Sequence, residues 1–375
     1  LLPYQQQGKG NVYIDSIWFE TPIRKTASEE NIFARVINNT NSPVELKIEL
    51  SINGAIQGFG NFTIAENSST NCIVPFTVAQ DGMQHCKLYL TEYPDPDMLF
   101  DDEYFFSYNI ENKVSVLQLV EKENANDTLG YLGNLFNTND LFRFTSKSLS
   151  KLDFPTLNQY DFIITKGLTD ISTGLSSELI NYTNQGGSLL VFPSSTINLD
   201  TYKNFLQMLA GGNLLALDTG STKVSYLNVE HPIYKNVFDK IPDNVDLPKV
   251  NQYYVISFAN SSGTEYLMNL QNGNSFLSST KVNKGNFYFC STPLTNEASS
   301  FPKHALFVAS LLRIGEFSQP STTLSYTIGK DNAIAFQELA PDVEKLTIKS
   351  TTEEIEFIPE IRKVKNETNL LLYDQ

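Results

Sequence analysis

The chain predicts a multidomain protein of mixed α/β and β class: an amino-terminal β-sandwich over 1–112, a central parallel sheet with helices on both faces over 113–318, and a small or incomplete carboxyl-terminal β-sandwich-like segment over 319–375. Three observations predict this. Residues up to Ile110 divide into short turn-bounded strands with no helical stretch, the pattern of a sandwich. Val114–Val120 is then a continuous apolar run, which suits a strand buried on both faces. Tyr160–Thr196 reads as a complete strand, helix and strand, and two parallel strands joined through one helix cross over right-handed and cover a sheet face.

In the first segment the predicted strands are Val12–Phe19, Glu30–Asn38, Val44–Ile52, Ala55–Ile64, Asn71–Val78, Gln84–Thr91 and Tyr104–Ile110. Asn38–Pro43 and Asp81-Gly82 are turns. Asn53-Gly54 is the clearest hairpin signal, because a type I′ turn needs positive φ at both central residues. Tyr93–Glu103 concentrates acid in one loop; it lacks the regular oxygen-ligand spacing of a calcium loop, so solvated turn residues are expected there.

In the second segment Asp127 can cap a helix carrying Leu129, Leu132 and Phe136, and Leu141–Leu149 alternates as the next strand. Asp161–Thr165 and Ser188–Phe192 flank a helix on which Leu175, Leu179 and Tyr182 recur at helical spacing. Ser176 is its expected cap, Glu178 falls in its first turn and Gly186-Gly187 supplies the left-handed stop. Asn198–Leu209 adds a helix with Tyr202, Phe205, Leu206 and Leu209 on one side, ended by Gly211-Gly212. Lys223–Asn228, Tyr253–Phe258, Glu265–Leu270 and Phe276–Lys281 look antiparallel, and Asn286–Ser291 returns as a buried-type strand. Phe301–Ile314 closes the segment as a helix, with Pro302 near its first turn and Phe307, Val308, Leu311 and Leu312 inside. Beyond Gln319-Pro320 the predicted strands are Thr323–Ile328, Ala333–Gln337, Glu344–Ser350, Glu354–Ile361 and Asn369–Tyr373, whose exposed edges are the expected partner surface.

A formal net charge of −15 with no Lys/Arg run opposes binding to nucleic acid or an anionic membrane surface, both of which need a basic patch. No apolar stretch reaches the ~18 residues of a spanning helix, and no signal peptide opens the chain at Leu1-Leu2-Pro3, so the expectation is the excised soluble part of a longer protein. Cys72, Cys86 and Cys290 form no CxxC and no Cys/His cluster, and His85, His231 and His304 are scattered; no metal and no cofactor is expected. Cys72 and Cys86 lie on strand faces that could meet inside a sandwich, although burial as free thiols is the commoner fate.

Three stretches of the first segment, NVYIDSIWFETP, FARVINNTNSPVELKIELSINGA and DPDMLFDDEYFFSYNI, resemble the CARDB-type sandwich, a spacer or adhesion-like module of bacterial extracytoplasmic proteins. YDFIITKGLTDIS with LSSELINYTNQGGSLLVFPSS resembles the flavodoxin-like fold of class I glutamine amidotransferase-like and ThuA-like domains. The domain order, with GNFYFCSTPLTNEASSFPKHALFVASLLRI before a last β segment, is similar to the BatA-like membrane proteins of the Bacteroides aerotolerance (Bat) kind. That resemblance implies a periplasmic location, transmembrane anchors outside this chain, and protein partners of the von Willebrand A-domain or MoxR-type kind.

An amidotransferase-type enzyme needs a thiolate on a sharp strand-to-helix turn, an imidazole to activate it and a carboxylate to orient the imidazole. GxCxG and GxSxG are absent, and His231-Pro232 is followed by Ile233 where the active pattern has Glu. Cys290 with His304 is the other pair, expected to be a core strand residue and a packing or capping residue. The expectation is therefore no catalytic residues and no enzyme: a non-catalytic extracytoplasmic scaffold or binding protein of a Bat-type envelope or stress assembly. A ThuA-like or amidotransferase-like enzyme acting on a sugar or amide is one alternative, and a carbohydrate-binding module with an aromatic platform is another. A crevice at the strand carboxyl ends belongs to the fold regardless of any nucleophile, and Glu121, Lys122, Lys166, Ser194, Ser195 and His231 are its candidate polar groups, with ordinary loop roles as the bland reading.

Overall fold

The computed structural model describes residues 10–24, 26–91, 102–110, 113–122, 130–235, 237, 246–259, 263–319, 323–327, 333–336, 346–349, 356–364 and 367–371. Most of the acidic loop Tyr93–Glu103 and the expected cap Asp127 lie outside them. The chain divides into two compact units, one made of Leu1–Glu20, Glu29–Asn109 and Thr322–Gln375, the other of Thr21–Ser28 and Ile110–Ser321.

The first unit begins with seven strands, β1 (Val12–Phe19), β2 (Glu29–Asn38), β3 (Val44–Ile52), β4 (Ala55–Ile64), β5 (Ser68–Thr77), β6 (Gly82–Thr91) and β7 (Glu103–Ile110). They form two antiparallel sheets, β1-β2-β5 and β4-β3-β6-β7. Alternation decides the inner faces: Ile32, Ala34, Val36, Cys72, Val74 and Phe76 are buried on one sheet, and Ile48, Leu50, Cys86, Leu88, Phe106 and Tyr108 on the other. The layers meet through aromatic rings, with Phe19 5.3 Å from Tyr108 and Phe76 6.5 Å from it. Asn53 and Gly54 take φ of 50° and 85°, as the hairpin between β3 and β4 requires. Cys72 and Cys86 are buried and unbridged.

The second unit holds β8 (Val114–Val120), α1 (Gly130–Asn137), β9 (Phe142–Ser148), β10 (Phe162–Leu168), α2 (Thr173–Asn184), β11 (Ser188–Pro193), α3 (Leu199–Ala210), β12 (Gly212–Asp218), β13 (Thr222–Leu227), β14 (Lys249–Val250), β15 (Tyr253–Phe258), β16 (Thr264–Leu270), β17 (Ser275–Val282), β18 (Gly285–Cys290) and α4 (Ala305–Glu316). Its main sheet runs β14-β13-β16-β17-β18-β11-β10-β8-β9. Five strands, β9, β8, β10, β11 and β18, are mutually parallel, and the other four extend the sheet antiparallel from β18. Helices cover both faces. Leu132 and Phe136 of α1 and Leu306, Phe307, Leu311 and Ile314 of α4 pack on one face, and Leu175, Leu179, Tyr182, Tyr202, Phe205 and Leu206 of α2 and α3 on the other.

Several local expectations shift. The helix α2 starts earlier than its expected cap: Ser172 Oγ accepts the Leu175 N–H at 3.3 Å, while Ser176 is buried within the helix and Glu178 lies past the first turn. This start brings Leu175 and Leu179 onto one buried stripe. Phe301–Lys303 is a separate 3-10 turn, and His304, in extended geometry, caps α4 by accepting the Leu306 N–H on Nδ1 at 3.1 Å. Val308 faces solvent at 46% exposure, because the buried stripe of α4 runs through Leu306, Phe307, Leu311 and Ile314. The strand β12, not foreseen, pairs antiparallel with β15.

The carboxyl-terminal residues add β19 (Ala333–Phe336), β20 (Ile348–Lys349), β21 (Glu356–Phe357), β22 (Glu360–Val364) and β23 (Glu367–Leu371). They form the sheet β19-β23-β22 and the pair β20-β21. Residues 323–327 carry no regular strand, although Leu324 O accepts the Ser107 N–H at 2.9 Å and Tyr104 Oη lies 2.9 Å from Ser325 Oγ.

Candidate functional site

Counted along the chain, the five parallel strands stand in the order second, first, third, fourth, fifth, so the connections leaving β8 and β10 diverge. In an open α/β sheet that divergence leaves a crevice at the strand carboxyl ends. A cleft of about 560 Å³ lies there. Gly130, Tyr131 and Asn134 of α1 line one side, Lys166 of β10 the floor, and Leu294, Thr295, Asn296 and Glu297 of the loop after β18 the other. Lys166 pairs in register with Val120 at the end of β8 and with Phe192 in β11, which sets it at the switch point. The Tyr131 hydroxyl donates to Asn296 Oδ1 at 2.7 Å and so ties α1 to the loop.

The rim is held by side chains from neighbouring strand ends. Glu121 accepts at Oε2 from the Thr169 hydroxyl at 2.8 Å and the Thr169 N–H at 3.2 Å, bridging the ends of β8 and β10. The Tyr202 hydroxyl donates to Leu168 O at 2.7 Å, and burial raises its pKa. After β11, Ser194 gives its carbonyl to the Tyr254 hydroxyl at 3.0 Å and its Oγ to the Thr196 N–H at 3.4 Å, while Ser195 is exposed. Beyond β18, the Thr292 hydroxyl donates to Gln252 O at 2.8 Å.

Of the residues read from sequence, Lys166 lines the cleft, while Glu121, Lys122, Ser194 and Ser195 stand at neighbouring strand ends. His231 lies at the opposite end of the sheet. Three successive antiparallel pairings, β13 with β16, β16 with β17 and β17 with β18, make β13 run against β18, so the chain leaves β13 toward the amino ends of the parallel strands. There Arg313, in the last turn of α4, donates to Pro232 O and Ile233 O, each at 3.2 Å. His231 accepts the Ile233 N–H on Nδ1 at 3.2 Å and holds Nε2 3.6 Å from Glu265. Burial lowers its pKa, and Glu265 raises it by a smaller amount.

The residues weighed for amidotransferase chemistry have other tasks here. Cys290 is fully buried, its thiol pushed up to about 12 by desolvation. His304 caps α4 and sets Nε2 2.6 Å from Asp246 O. Among the described residues no three His, Cys, Asp or Glu side chains gather as a metal site. Sequence reading missed Tyr131, Asn134 and the cluster Thr295-Asn296-Glu297. A usable signal was present in the last case, since the cluster follows directly on a buried-type parallel strand.

No known family model matches the chain, and no curated protein matches it. Among solved structures the chain is similar to a ThuA-like protein from Bacteroides uniformis, at 15% identity over 60% of this chain and 95% of that one, with a TM-score of 0.41. It is also similar to the CARDB domain of a Pyrococcus furiosus protein, at 13% identity over 28% of this chain and 90% of that one, TM-score 0.25. A β-galactosidase from Bacillus circulans matches at 13% identity over 70% of this chain, TM-score 0.39, and the match spans 42% of the enzyme. Glycoside hydrolases thus stand among the structures this chain is similar to, and the expectation that it is not an enzyme is corrected accordingly.

Proposed function

We propose that this chain is an extracytoplasmic binding protein of a membrane-associated, Bat-type envelope assembly, and that its α/β unit takes a small polar ligand in the switch-point cleft. The observation that carries the binding reading is the cleft itself. Lys166 offers a cation, Tyr131 and Leu294 offer apolar surface, and Asn134, Thr295 and Asn296 offer neutral hydrogen-bonding groups, all converging on one concavity at the sheet's divergence point. The order of the five parallel strands supports a flavodoxin-like reading, a frame in which ligands sit at this position. Glu297 on the rim disfavours a ligand of high negative charge, so a single acidic group facing Lys166 fits best. The Bat-type assignment, with its von Willebrand A-domain or MoxR-type partners and transmembrane anchors outside this chain, rests on the resemblance in sequence order.

The test is calorimetric titration of the purified chain with a panel of amino acids, sugar acids and sugar phosphates, each mixture also followed for turnover. At least one compound should bind, and Lys166→Ala and Tyr131→Ala should each weaken it about tenfold or more. Binding that ignores both substitutions refutes the cleft as the site. For the assembly, the parent protein recovered from its native envelope should bring a membrane-protein partner with it; clean recovery alone refutes that part.

A further inference from the structure

The sandwich carries a second concavity, on the outward face of β1-β2-β5. Register places Trp18 opposite Phe33 and Phe33 opposite Ile73, and in the next outward row Ser16 opposite Arg35 and Arg35 opposite Asn71. Trp18 and Phe33 stack with ring centroids 5.7 Å apart and planes 16° from parallel. A depression of about 550 Å³ lies beside Trp18, lined by Ser16, Arg35, Ser69, Thr70 and Asn71. Arg35 donates to Ser69 Oγ at a long 3.4 Å, and no carboxylate among the described residues lies within ion-pair distance of it. This arrangement does nothing for the core: the inner faces of the same strands are filled by Ile32, Ala34, Cys72 and Val74.

The chemistry of the lining narrows the ligand. An indole face beside neutral hydroxyl and amide groups suits a pyranose ring, whose C–H face packs on the aromatic while its hydroxyls find partners at Ser16, Ser69 and Asn71. A guanidinium without a carboxylate partner among the described residues, in a chain of net charge −15, adds a planar fork that matches a carboxylate in two parallel hydrogen bonds. We propose that this face binds carboxylate-bearing sugars of the uronate type, with Trp18 as the stacking surface and Arg35 as the carboxylate anchor. It is a site separate from the cleft of the α/β unit and stands or falls without it.

Trp18 is the only tryptophan of the chain, so its emission reports on this face alone. The experiment titrates the whole chain with tri-galacturonate, its methyl ester and a hexaglutamate peptide, following Trp18 emission and, in Trp18→Ala, heat of binding. Tri-galacturonate should change the emission, and the ester and the peptide should bind about tenfold or more weakly than the acid. Arg35→Gln, an exposed substitution that leaves the melting temperature in place, should lose the same factor for the acid and little for the ester. Trp18→Ala should lose measurable binding to all three. No emission change up to about 5 mM tri-galacturonate, equal binding of ester or peptide, or an Arg35→Gln variant that binds like the wild type would each overturn the proposal.

Discussion

Replacing Gly187 by alanine should destabilise the α/β unit by an amount that depends on one neighbouring ring. The three atoms nearest to a Cβ at Gly187 would all belong to the Tyr182 ring, each closer than 3.0 Å. The ring has nowhere to go. Tyr182 is 3% exposed, and its hydroxyl donates to Tyr160 O at 3.0 Å and Ser188 O at 3.3 Å, which pins the ends of β10 and β11 against α2. Displacing the ring adds an overpacking cost of about 1–3 kcal/mol to the loss of hydrogen bonds worth about 0.5–1.5 kcal/mol, so Gly187→Ala should cost about 2–4 kcal/mol. In a Tyr182→Ala background the obstacle is gone and the same substitution should cost about 1 kcal/mol or less. The assay is urea unfolding followed by the helical circular dichroism signal, since the α-helices of the described residues all belong to this unit, with Trp18 emission reporting the other unit. A cost for Gly187→Ala below about 0.5 kcal/mol, or the same cost in both backgrounds, refutes the assignment of the clash to Tyr182.

His304→Ala should lower stability by about 1 kcal/mol through loss of the α4 cap, and His304→Asn, whose side-chain oxygen can accept the same N–H, should recover part of it in thermal melts. Burial pushes the thiols of Cys72 and Cys290 up to about 12, so at pH 8 neither should react with a disulfide reagent in the native state. All three cysteines should titrate as free thiols once the chain is unfolded without reductant, and rapid native labelling would contradict the packing. For His231 the folded-state pKa is lowered below the unfolded value. Its contribution to stability is therefore complete above about pH 6.5 and is lost as pH falls through the folded value, because the unfolded chain then binds the extra proton. Melting temperatures measured between about pH 7.5 and 5.5 should fall on acidification, and His231→Asn should flatten that slope; an unchanged slope would assign the titration elsewhere.

The local signals of the sequence reached far into the fold. Asn53-Gly54 marked a hairpin because few residues tolerate the two positive φ angles that the turn imposes. Alternation in Asn71–Val78 and Gln84–Thr91 marked half-buried strands, and the mostly apolar runs at Val114–Val120 and Ser188–Phe192 marked the centre of a parallel sheet. Each of these features is decided within a few residues of itself. The start of α2 was misplaced, because Ser172 and Ser176 offer the same chemistry and only the packing of Leu175 and Leu179 chooses between them. His304 was read as a packing or capping residue, and the cap is what it makes.

The candidate site was less legible. Lys166 could be placed at a strand end by its position after Phe162–Thr165, yet Tyr131 and Asn296, which meet across the cleft, are 165 positions apart and belong to elements whose neighbours are set by strand order. Trp18 and Arg35 looked like ordinary strand residues until register set them beside Ser16, Asn71 and each other.

By itself the sequence determined most of the strands and helices, the apolar side of most of them, and how acidic the chain is, because those properties are written in turn chemistry, periodicity and charge over short spans. Tertiary structure alone decided that β13 runs against β18 and carries His231 to the far end of the sheet, and that Lys166 faces Tyr131 and Asn296. Pairing partners and strand direction are chosen by burial of the whole sheet's two faces, a sum over distant residues that no local window contains.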